Sequence, residues 1–241
     1  MFELPPLTQR PTELMDDPSL EACQHQEALR ALARIHFFSG TVTHIVRHIV
    51  SLLRNTGDSS DQSIRVLDIA CGGGELTTAV ARLLAAKTSC RVEGIGLDIS
   101  ERAIHWATRK HATTTKNLVI SFRACNVLTD ELPSCTLAFH SLFLHHLDHA
   151  QAVAQLRSMA SATVIGFVFS DLLRTRIGLL LAQLGTRLLS RSTVAQIDGP
   201  LSVRAARTVD EYHDLFRAAH LPEPILQRVW PERVCITWRH K

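Results

Sequence analysis

Two glycines and an aspartate give the clearest chemical signal in the sequence. Gly72 and Gly74 follow Ile64–Ala70, an apolar run typical of a buried strand, and a helical pattern begins directly after them. Glycines let the backbone approach a ligand closely, and the free N–H groups at a helix start bind anionic or polar groups. Asp98 ends the next predicted strand, where a carboxylate accepts both hydroxyls of a ribose. These residues predict a nucleotide site.

The same segment argues against a dinucleotide. The dinucleotide fingerprint needs a third glycine three residues after the second, and Thr77 stands at that position. Asp68 lies inside the strand before the turn, where a carboxylate disfavours a pyrophosphate and suits an ammonium group. The simpler alternative is that the glycines form only a tight turn and that Asp98 caps a helix.

Strands and helices alternate around this turn, which is typical of a parallel sheet with both faces covered. Short β-rich runs predict five strands: Ile64–Ala70, Arg91–Leu97, Leu118–Ala124, Thr136–Ser141 and Thr163–Phe169. Helical periodicity predicts the connections Leu76–Lys87, Glu101–His111 and His149–Met159, and a later helix at Thr208–Ala219. Only Pro231 and Glu232 separate the last two β-like runs, Ile225–Trp230 and Arg233–Trp238, so these should form an antiparallel hairpin.

Further helices are predicted outside this alternating core. They are two N-terminal helices and one leucine-rich helix after the fifth strand: Glu21–Phe38, Thr41–Arg54 and Leu172–Ser192. Asn55–Ser63 is polar and predicts a linker. We expect residues 1–58 to form an N-terminal helical lid and residues 59–241 the main domain, with a lid-like helical insertion at about 172–207.

Composition excludes several classes of protein. The chain has 241 residues, of which 46% are hydrophobic and 20% charged, as expected for one folded domain with a small appendage. The net charge of +3 is too small to indicate a nucleic-acid groove. The six cysteines form no CxxC pair, and we predict no metal site. The N-terminus does not resemble a signal peptide, and Ile177–Leu189 is too short to span a bilayer. We therefore expect a cytoplasmic protein.

Four segments, in order, resemble the motifs of one family. VLDIACGGGELT at 66–77 resembles motif I of the class I S-adenosylmethionine-dependent methyltransferases. GLDIS at 96–100 looks like their second motif, and FRACNVL at 122–128 resembles the third. SLFLHHL at 141–147 is similar to the segment that borders the methyl acceptor. The resemblance covers roughly residues 60–240. It implies a doubly wound α/β fold with a mostly parallel, seven-stranded sheet and a reversed last strand.

The resemblance also implies that the cofactor is S-adenosylmethionine. The implied contacts run from the methionine end to the sulfonium: Asp68 at the methionine group, Ala70, Gly72 and Gly74 beneath it, Asp98 at the ribose, Ile99 against the adenine, Asn126 and Val127 at the adenine edge, and Ser141 and Leu142 at the sulfonium.

Three positions depart from the family pattern. Ala70 stands where the family has its first glycine, and Asn126 stands where an aspartate is usual. The Asn126 carbonyl can still accept a hydrogen bond from the adenine amino group. Thr136 replaces an acid often found at the start of the fourth strand, which argues against the metal-dependent catechol-type subclass.

Two histidines are the candidates for proton transfer. Methyl transfer mainly requires that two reactants be brought together, and a hydroxyl or amine acceptor benefits from a base. His145 and His146 follow the fourth strand, at the edge where this fold places chemistry. We predict that one of them, preferably His145, is the base; the alternative is a packing or capping role. Asp171 follows the fifth strand and either orients the acceptor or a histidine, or caps a helix.

We therefore predict methyl transfer to a small molecule, with O-methylation of a lipophilic phenolic or polyketide-type metabolite as the specific hypothesis. The leucine-rich segment favours such an acceptor, and residues 171–191 resemble bacterial methyltransferases found near type III polyketide synthases. No motif of nucleic-acid methylation is present, so no nucleic-acid partner is expected. The alternatives are a nicotinamide-dependent oxidoreductase and a non-catalytic S-adenosylmethionine-binding subunit. No oligomeric state follows from the sequence.

Overall fold

The apolar runs of the sequence become the strands of one eight-stranded sheet. The computed structural model describes residues 4–5, 13–17, 19–54 and 63–240, apart from the side chains of Asp16, Ala22 and His25. The strands are β1 (Ile64–Ile69), β2 (Val92–Asp98), β3 (Thr113–Thr114), β4 (Leu118–Ala124), β5 (Cys135–Ser141), β6 (Thr163–Leu172), β7 (Ile225–Val229) and β8 (Arg233–Arg239). Their order across the sheet is β3-β4-β2-β1-β5-β6-β8-β7.

Most strands are parallel, and the order reverses on either side of β1. β2 and β5 flank β1 in parallel pairs, whereas β8 is antiparallel to both β6 and β7. The predicted doubly wound sheet, its reversed last strand and the terminal hairpin are confirmed. One extra edge strand, β3, pairs antiparallel with β4, and two residues are too few to give a sequence pattern.

Helices cover both faces of the sheet because both faces are apolar. The helices are α1 (Ala22–Phe38), α2 (Thr41–Arg54), α3 (Glu75–Lys87), α4 (Glu101–His111), α5 (His149–Ala162), α6 (Arg176–Leu189), α7 (Thr193–Ala205) and α8 (Val209–Ala218). One buried cluster joins α2 and α3 to the sheet, and a second joins α5 and α8 to the opposite face. The sheet is therefore the middle of three layers.

The helix predicted at Leu172–Ser192 is present but shorter, as α6 (Arg176–Leu189). β6 extends to Leu172, which pairs with Arg233 of β8, so Asp171 lies inside a strand and caps no helix. Two helices follow, each with its own N-cap: the Thr175 hydroxyl accepts from Gly178 N–H at 2.9 Å, and the Ser192 hydroxyl accepts from Ala195 N–H at 3.3 Å. Strand pairing therefore overrides the helical pattern at the start of this segment, and α7 begins directly after its predicted end.

The N-terminal helices occupy different places. α2 packs its apolar side into the core, with Ile45 and Ile49 fully buried. α1 crosses the glycine turn: the Leu29 side chain lies so near Gly72 that a Cβ there would be 3.4 Å from it. A lid within residues 1–58 would therefore consist of α1 and the segment before it, and the predicted linker falls largely on residues 55–62, outside the described residues.

The leucine-rich side of α6 is exposed. Ile177, Leu180 and Leu184 are about half exposed, and Leu188 is 83% exposed. Their spacing of three and four residues places them along one side of the helix. Among the described residues, no helix is long and apolar enough to cross a membrane.

The segment before α1 is held by a carboxylate on α7. Asp198, which is buried, accepts hydrogen bonds from the backbone N–H groups of Leu14 and Met15 at 2.9 and 3.0 Å. These bonds join residues more than 180 positions apart in the chain. The segment is thereby positioned against α7 and the histidine turn that follows β5.

We predict that Asp198→Ala releases this segment. Loss of the two buried acceptor contacts should lower the free energy of unfolding by about 1–3 kcal/mol. It should also speed limited proteolysis near residues 13–20, which mass spectrometry would locate. Asp210→Ala, which alters an exposed carboxylate on α8, is the matched control. An unchanged cleavage pattern would show that other contacts hold the segment.

Candidate functional site

The polar side chains singled out in the sequence lie along one edge of the sheet. β1, β2, β4, β5 and β6 run parallel, so their carboxyl ends meet at the same edge. Asp98 and Ser141 are the last residues of β2 and β5, and Asp171 is the residue before the last in β6. In open α/β sheets ligands bind at this edge, where the strand order reverses. The candidate site is therefore centred on β1.

The glycine turn and Asp98 are joined directly. The Asp98 carboxylate accepts from Gly72 N–H at 2.8 Å and from Ser100 N–H at 2.9 Å. Gly72 and Gly74 have φ of +52° and +79°, and a Cβ on Gly74 would lie 2.5 Å from the Phe122 ring. Glycine is therefore required at Gly74 both for its conformation and for space.

Ala70 occupies the same left-handed region, with φ of +57°. A side chain in this conformation costs roughly 1–2 kcal/mol. Glycine would adopt it without strain, which explains why the family pattern has a glycine at this position. The backbone shape of the turn is kept here despite the alanine.

Asp68 is buried beneath the turn with one oxygen unsatisfied. Its Oδ2 accepts from the Thr77 hydroxyl at 2.6 Å, whereas Oδ1 has no hydrogen-bond donor among the described residues. Burial raises the pKa of Asp68 to about 8; the Thr77 bond opposes this and the nearby Asp98 adds to it. Thr77, the residue that breaks the dinucleotide fingerprint, thus orients the carboxylate predicted to meet an ammonium group.

The adenine positions predicted from sequence lie on two loops of this edge. Ile99 is 69% exposed, which leaves its side chain free to cover a flat ring. In the loop after β4, the side-chain oxygen Oδ1 of Asn126 accepts from Leu128 N–H at 3.1 Å, and the backbone N–H of Asn126 donates to the Asp130 carboxylate at 2.9 Å. The Asn126 carbonyl retains a second lone pair. Val127, by contrast, is buried in the core.

Ser141 and Leu142 end β5 beneath the N-terminal helices. The Ser141 hydroxyl is 3.3 Å from Nε2 of His36 on α1. Leu142 has a φ of +57°, and its N–H donates to the Ser170 carbonyl of β6 at 3.0 Å. His36 was not anticipated from the sequence, because only the packing of α1 over the turn brings it to the sheet edge.

His145 and Asp171 form a buried pair. Nδ1 of His145 lies 2.6 Å from Oδ1 of Asp171, and the backbone N–H of His145 donates to Oδ2 at 3.2 Å. Only 2% of the His145 surface is exposed, and Asp171 is fully buried. A carboxylate at Nδ1 fixes the orientation of the ring and directs Nε2 to the other side.

A residue missed in the sequence, Glu13, stands on that other side. Its carboxylate oxygens lie 3.6 Å from Nε2 of His145 and 3.9 Å from Nε2 of His146. The Ser202 hydroxyl of α7 donates to the same carboxylate. Glu13 lies in the segment that Asp198 holds, and nothing in its local sequence distinguishes it from an exposed glutamate.

Arg207 holds the turn that carries the two histidines. It is buried and donates to the carbonyl of Leu144 and, at 2.6 Å, to that of Leu147. The carbonyl groups on both sides of the histidine pair are thereby fixed.

Two carboxylates determine the charge state of His145. Burial alone would lower the pKa of His145, but Asp171 and Glu13 outweigh it and raise the pKa to about 9. Burial acts to raise the pKa of Asp171 and of Glu13, whereas His145 holds both below their usual range. At neutral pH the arrangement is therefore an imidazolium between two carboxylates.

Three side chains at this site lie close enough to share a cation. Glu13, His145 and His146 each offer a ligand atom, and these atoms lie within 4.8 Å of one another. A protonated His145 satisfies the two carboxylates without a metal. The expectation that the chain uses no metal remains a prediction.

His145→Gln should flatten the dependence of stability on pH. The folded pKa of about 9 exceeds the unfolded value of about 6.5. The stabilisation is therefore complete below pH 6.5 and is lost as the pH rises towards 9. The gap corresponds to at most about 3 kcal/mol. Urea unfolding between pH 6 and pH 9.5 measures this, with the exposed His149→Gln as control. Equal slopes in parent and His145→Gln would contradict the assigned charge state.

Comparisons with known proteins identify the same region. Residues 66–166 match the family model of a methyltransferase domain. No curated protein matches the chain in sequence. The structure of human N-acetylserotonin methyltransferase in complex with S-adenosylmethionine is similar, with a TM-score of 0.60 and 18% identity over 90% of this chain and 56% of that one.

Two further solved structures are similar over most of this chain. Magnesium protoporphyrin IX methyltransferase from Synechocystis, with bound S-adenosylhomocysteine, has a TM-score of 0.57 and 16% identity, covering 93% of this chain and 90% of that one. An O-methyltransferase family 2 protein from Planctomyces limnophilus, in complex with apigenin, has a TM-score of 0.58 and 16% identity, covering 93% and 63%.

This chain thus spans less than two thirds of the human and Planctomyces proteins. At these identities the similarity establishes the fold. Residues 66–166 match the methyltransferase domain model, and the chain has the fold of the class I S-adenosylmethionine-dependent methyltransferases.

Proposed function

We propose that this protein transfers a methyl group from S-adenosylmethionine to a hydroxyl group of a small lipophilic acceptor. One observation carries the proposal: the turn joined to Asp98 and the His145–Asp171 pair stand at the same edge of the sheet. The turn and Asp98 are suited to bind the nucleoside of a methyl donor. The His145–Asp171 pair is suited to remove the proton from a hydroxyl acceptor.

The residues of the turn fit the proposed cofactor. The unsatisfied Oδ1 of Asp68 is a buried acceptor that an ammonium group would satisfy. Asp98 presents a carboxylate for the ribose hydroxyls, and Ile99 offers an exposed apolar side chain to the adenine. The cofactor, when bound, supplies an electrophilic methyl group on a sulfonium.

The contribution of the protein is then to hold the two reactants together and to exclude water. The methionine end would lie between Asp68 and Ser141, beneath α1. Ala70, Gly72 and Gly74 would form the floor, and Leu142 would border the sulfonium. Asn126 and Val127 would line the adenine edge, as in the family motif.

The apolar side chains of the outer helices support a lipophilic acceptor. Phe37 and Phe38 at the end of α1 are 78% and 58% exposed, and Leu188 of α6 is 83% exposed. Arg34 of α1 donates to the Leu189 carbonyl at 2.8 Å, which brings the ends of the two helices together. An exposed apolar patch of this kind is a recognised feature of binding surfaces. A phenol with an alkyl side chain suits it.

Proton removal is assigned to His145. Asp171 holds the ring, so Nε2 is the atom that would accept a proton from the acceptor hydroxyl. Glu13 now stands against Nε2, so the acceptor would have to displace it. When Glu13 leaves, the pKa of His145 falls, and the imidazole becomes the neutral form that a base requires. Glu13 is thus proposed to hold His145 protonated until an acceptor arrives, and His146 to help anchor Glu13.

The cofactor assignment is tested by Asp98→Asn. Loss of the charged acceptor for the ribose hydroxyls, at about 1.5–3 kcal/mol for each charged hydrogen bond, should weaken S-adenosylhomocysteine binding at least about tenfold. Isothermal titration calorimetry measures this, with Asp210→Asn as control. The assay should include NADH in parallel, because NADH binding without S-adenosylhomocysteine binding would favour an oxidoreductase. An unchanged affinity would remove Asp98 from the site.

The base is tested by His145→Ala on alkyl-substituted phenols. General-base catalysis contributes roughly 10²–10⁴-fold, so turnover should fall by that factor while S-adenosylhomocysteine affinity stays within about threefold. In the parent, turnover should rise with pH through an apparent pKa above about 6.5, the unperturbed histidine value. Glu13→Gln should move that apparent pKa downward, because it removes a carboxylate from Nε2.

Two results would contradict the proposal in different ways. Nearly unchanged turnover of His145→Ala would end the role of His145 as base and leave catalysis to proximity. Cofactor binding without turnover on any hydroxyl acceptor would favour the non-catalytic subunit.

A further inference from the structure

A second arginine near the site is buried and forms no ion pair with the described residues. Arg233 opens β8 and is only 2% exposed. Its Nη1 donates to the Thr41 hydroxyl at 2.7 Å, and its Nε has no acceptor. No acidic side chain of the described part of the chain forms an ion pair with it. Burying a charge is costly unless the charge is paired. The described part of the chain provides no such pairing contact, so the partner of this guanidinium is expected to be a ligand.

Arg233 faces the same side of the sheet as the predicted sulfonium position. Phe139, Val168 and Cys235 belong to the cluster beneath α2. Because side chains alternate along a strand, Ser141, Ser170 and Arg233 point to that side too. Ser141 pairs with Ser170, and Leu172, two residues further along β6, pairs with Arg233. The arginine thus lies on the α2 side, at the edge where the carboxyl ends meet.

Hydroxyl groups and the start of a helix surround Arg233, and the Asp171 carboxylate acts on it from nearby. α2 begins at Thr41, so the positive end of a 14-residue helix meets the guanidinium. The Ser39 and Thr41 hydroxyls are 2.8 Å apart, and the hydroxyl of Ser170 is buried without a partner. Burial lowers the pKa of Arg233 to about 10, with Asp171 opposing, so it stays charged at neutral pH. A cation, a helix N-terminus and the unpartnered Ser170 hydroxyl together suit an anion.

We propose that Arg233, with the start of α2, binds a carboxylate of the methyl acceptor. The inference rests on the proposed methyl transfer for the role of this carboxylate, but the anion site itself stands on the burial of Arg233. It deepens the acceptor assignment: a lipophilic acid that carries the hydroxyl to be methylated.

The strand order favours the acceptor over the cofactor as the source of the carboxylate. β1, which carries Asp68, is separated from β8 by β5 and β6. Three strand spacings amount to about 14 Å. Asp98 lies one strand further away. The cofactor is assigned to the β2–β1–β5 side, which leaves the β6–β8 side for the second reactant.

The test uses benzoate as the probe, with benzyl alcohol as its uncharged counterpart, on protein saturated with S-adenosylhomocysteine. Arg233→Met should weaken benzoate binding by about tenfold or more. Arg239→Met, which removes an exposed arginine from the same strand, should leave it within about twofold. Arg233→Met should also raise the melting temperature of the ligand-free protein, by about 2–4 °C for each kcal/mol, because an unpaired buried charge is lost. A structural arginine would give the opposite shift.

Two further measurements complete the test: one identifies which ligand supplies the carboxylate, and the other covers the case in which Arg233→Met does not fold. If Arg233→Met weakens S-adenosylhomocysteine about tenfold but leaves 5′-methylthioadenosine unchanged, the anion site stands and its carboxylate belongs to the cofactor. If the methionine variant does not fold, Arg233→Lys keeps a cation of different geometry and should weaken benzoate while keeping the parent's melting temperature.

Other outcomes would overturn the inference without touching the proposed function. These are parent protein that binds S-adenosylhomocysteine but no benzoate, and Arg233→Met that binds benzoate like the parent. If the parent protein binds benzoate but no S-adenosylhomocysteine, the methyl-transfer proposal is contradicted and the anion site is supported.

Discussion

The charge on Asp171 is the constraint from which the arrangement of the site follows. A charged carboxylate with no exposed surface is costly unless its oxygens are hydrogen-bonded. Asp171 meets this condition through the ring and backbone of His145 and through its neighbour Leu172. Those bonds fix the turn after β5 against the end of β6. The remaining nitrogen of His145 then needs a partner of its own, and the chain supplies Glu13 from its N-terminal segment.

This dependence explains why distant parts of the chain converge. Glu13 is buried only because Ser202 donates to it and Asp198 holds the residues that follow it. Both partners belong to α7, within the region expected to be an insertion. Arg207 also fixes the histidine turn, because it donates to carbonyl groups on either side of the two histidines. The segment before α1, helix α7 and the histidine turn are therefore parts of one polar network.

The sequence was informative where the signal is local. The glycine turn, the alternation of strands and helices, and the terminal hairpin were predicted because each depends on neighbouring residues. The start of α6 after Thr175, rather than at Leu172, was not predicted, because the pairing of Leu172 with Arg233 overrides a helical pattern. Glu13, His36 and Arg233 were missed for a related reason. Their role comes from contacts that span more than 100 residues, and an isolated glutamate, histidine or arginine carries no mark of such a contact.

The contact between Asp198 and the segment that starts at Glu13 has a consequence for biosynthesis. The two partners are 184 positions apart, and ribosomes add about 5–20 residues each second. The segment that completes the polar network is therefore made first and waits roughly 10–40 s for the helix that receives it. During that time the sheet can form around the glycine turn, since its early strands are close in sequence. The nascent chain would thus form its glycine turn and the strands around it well before its histidine pair is enclosed.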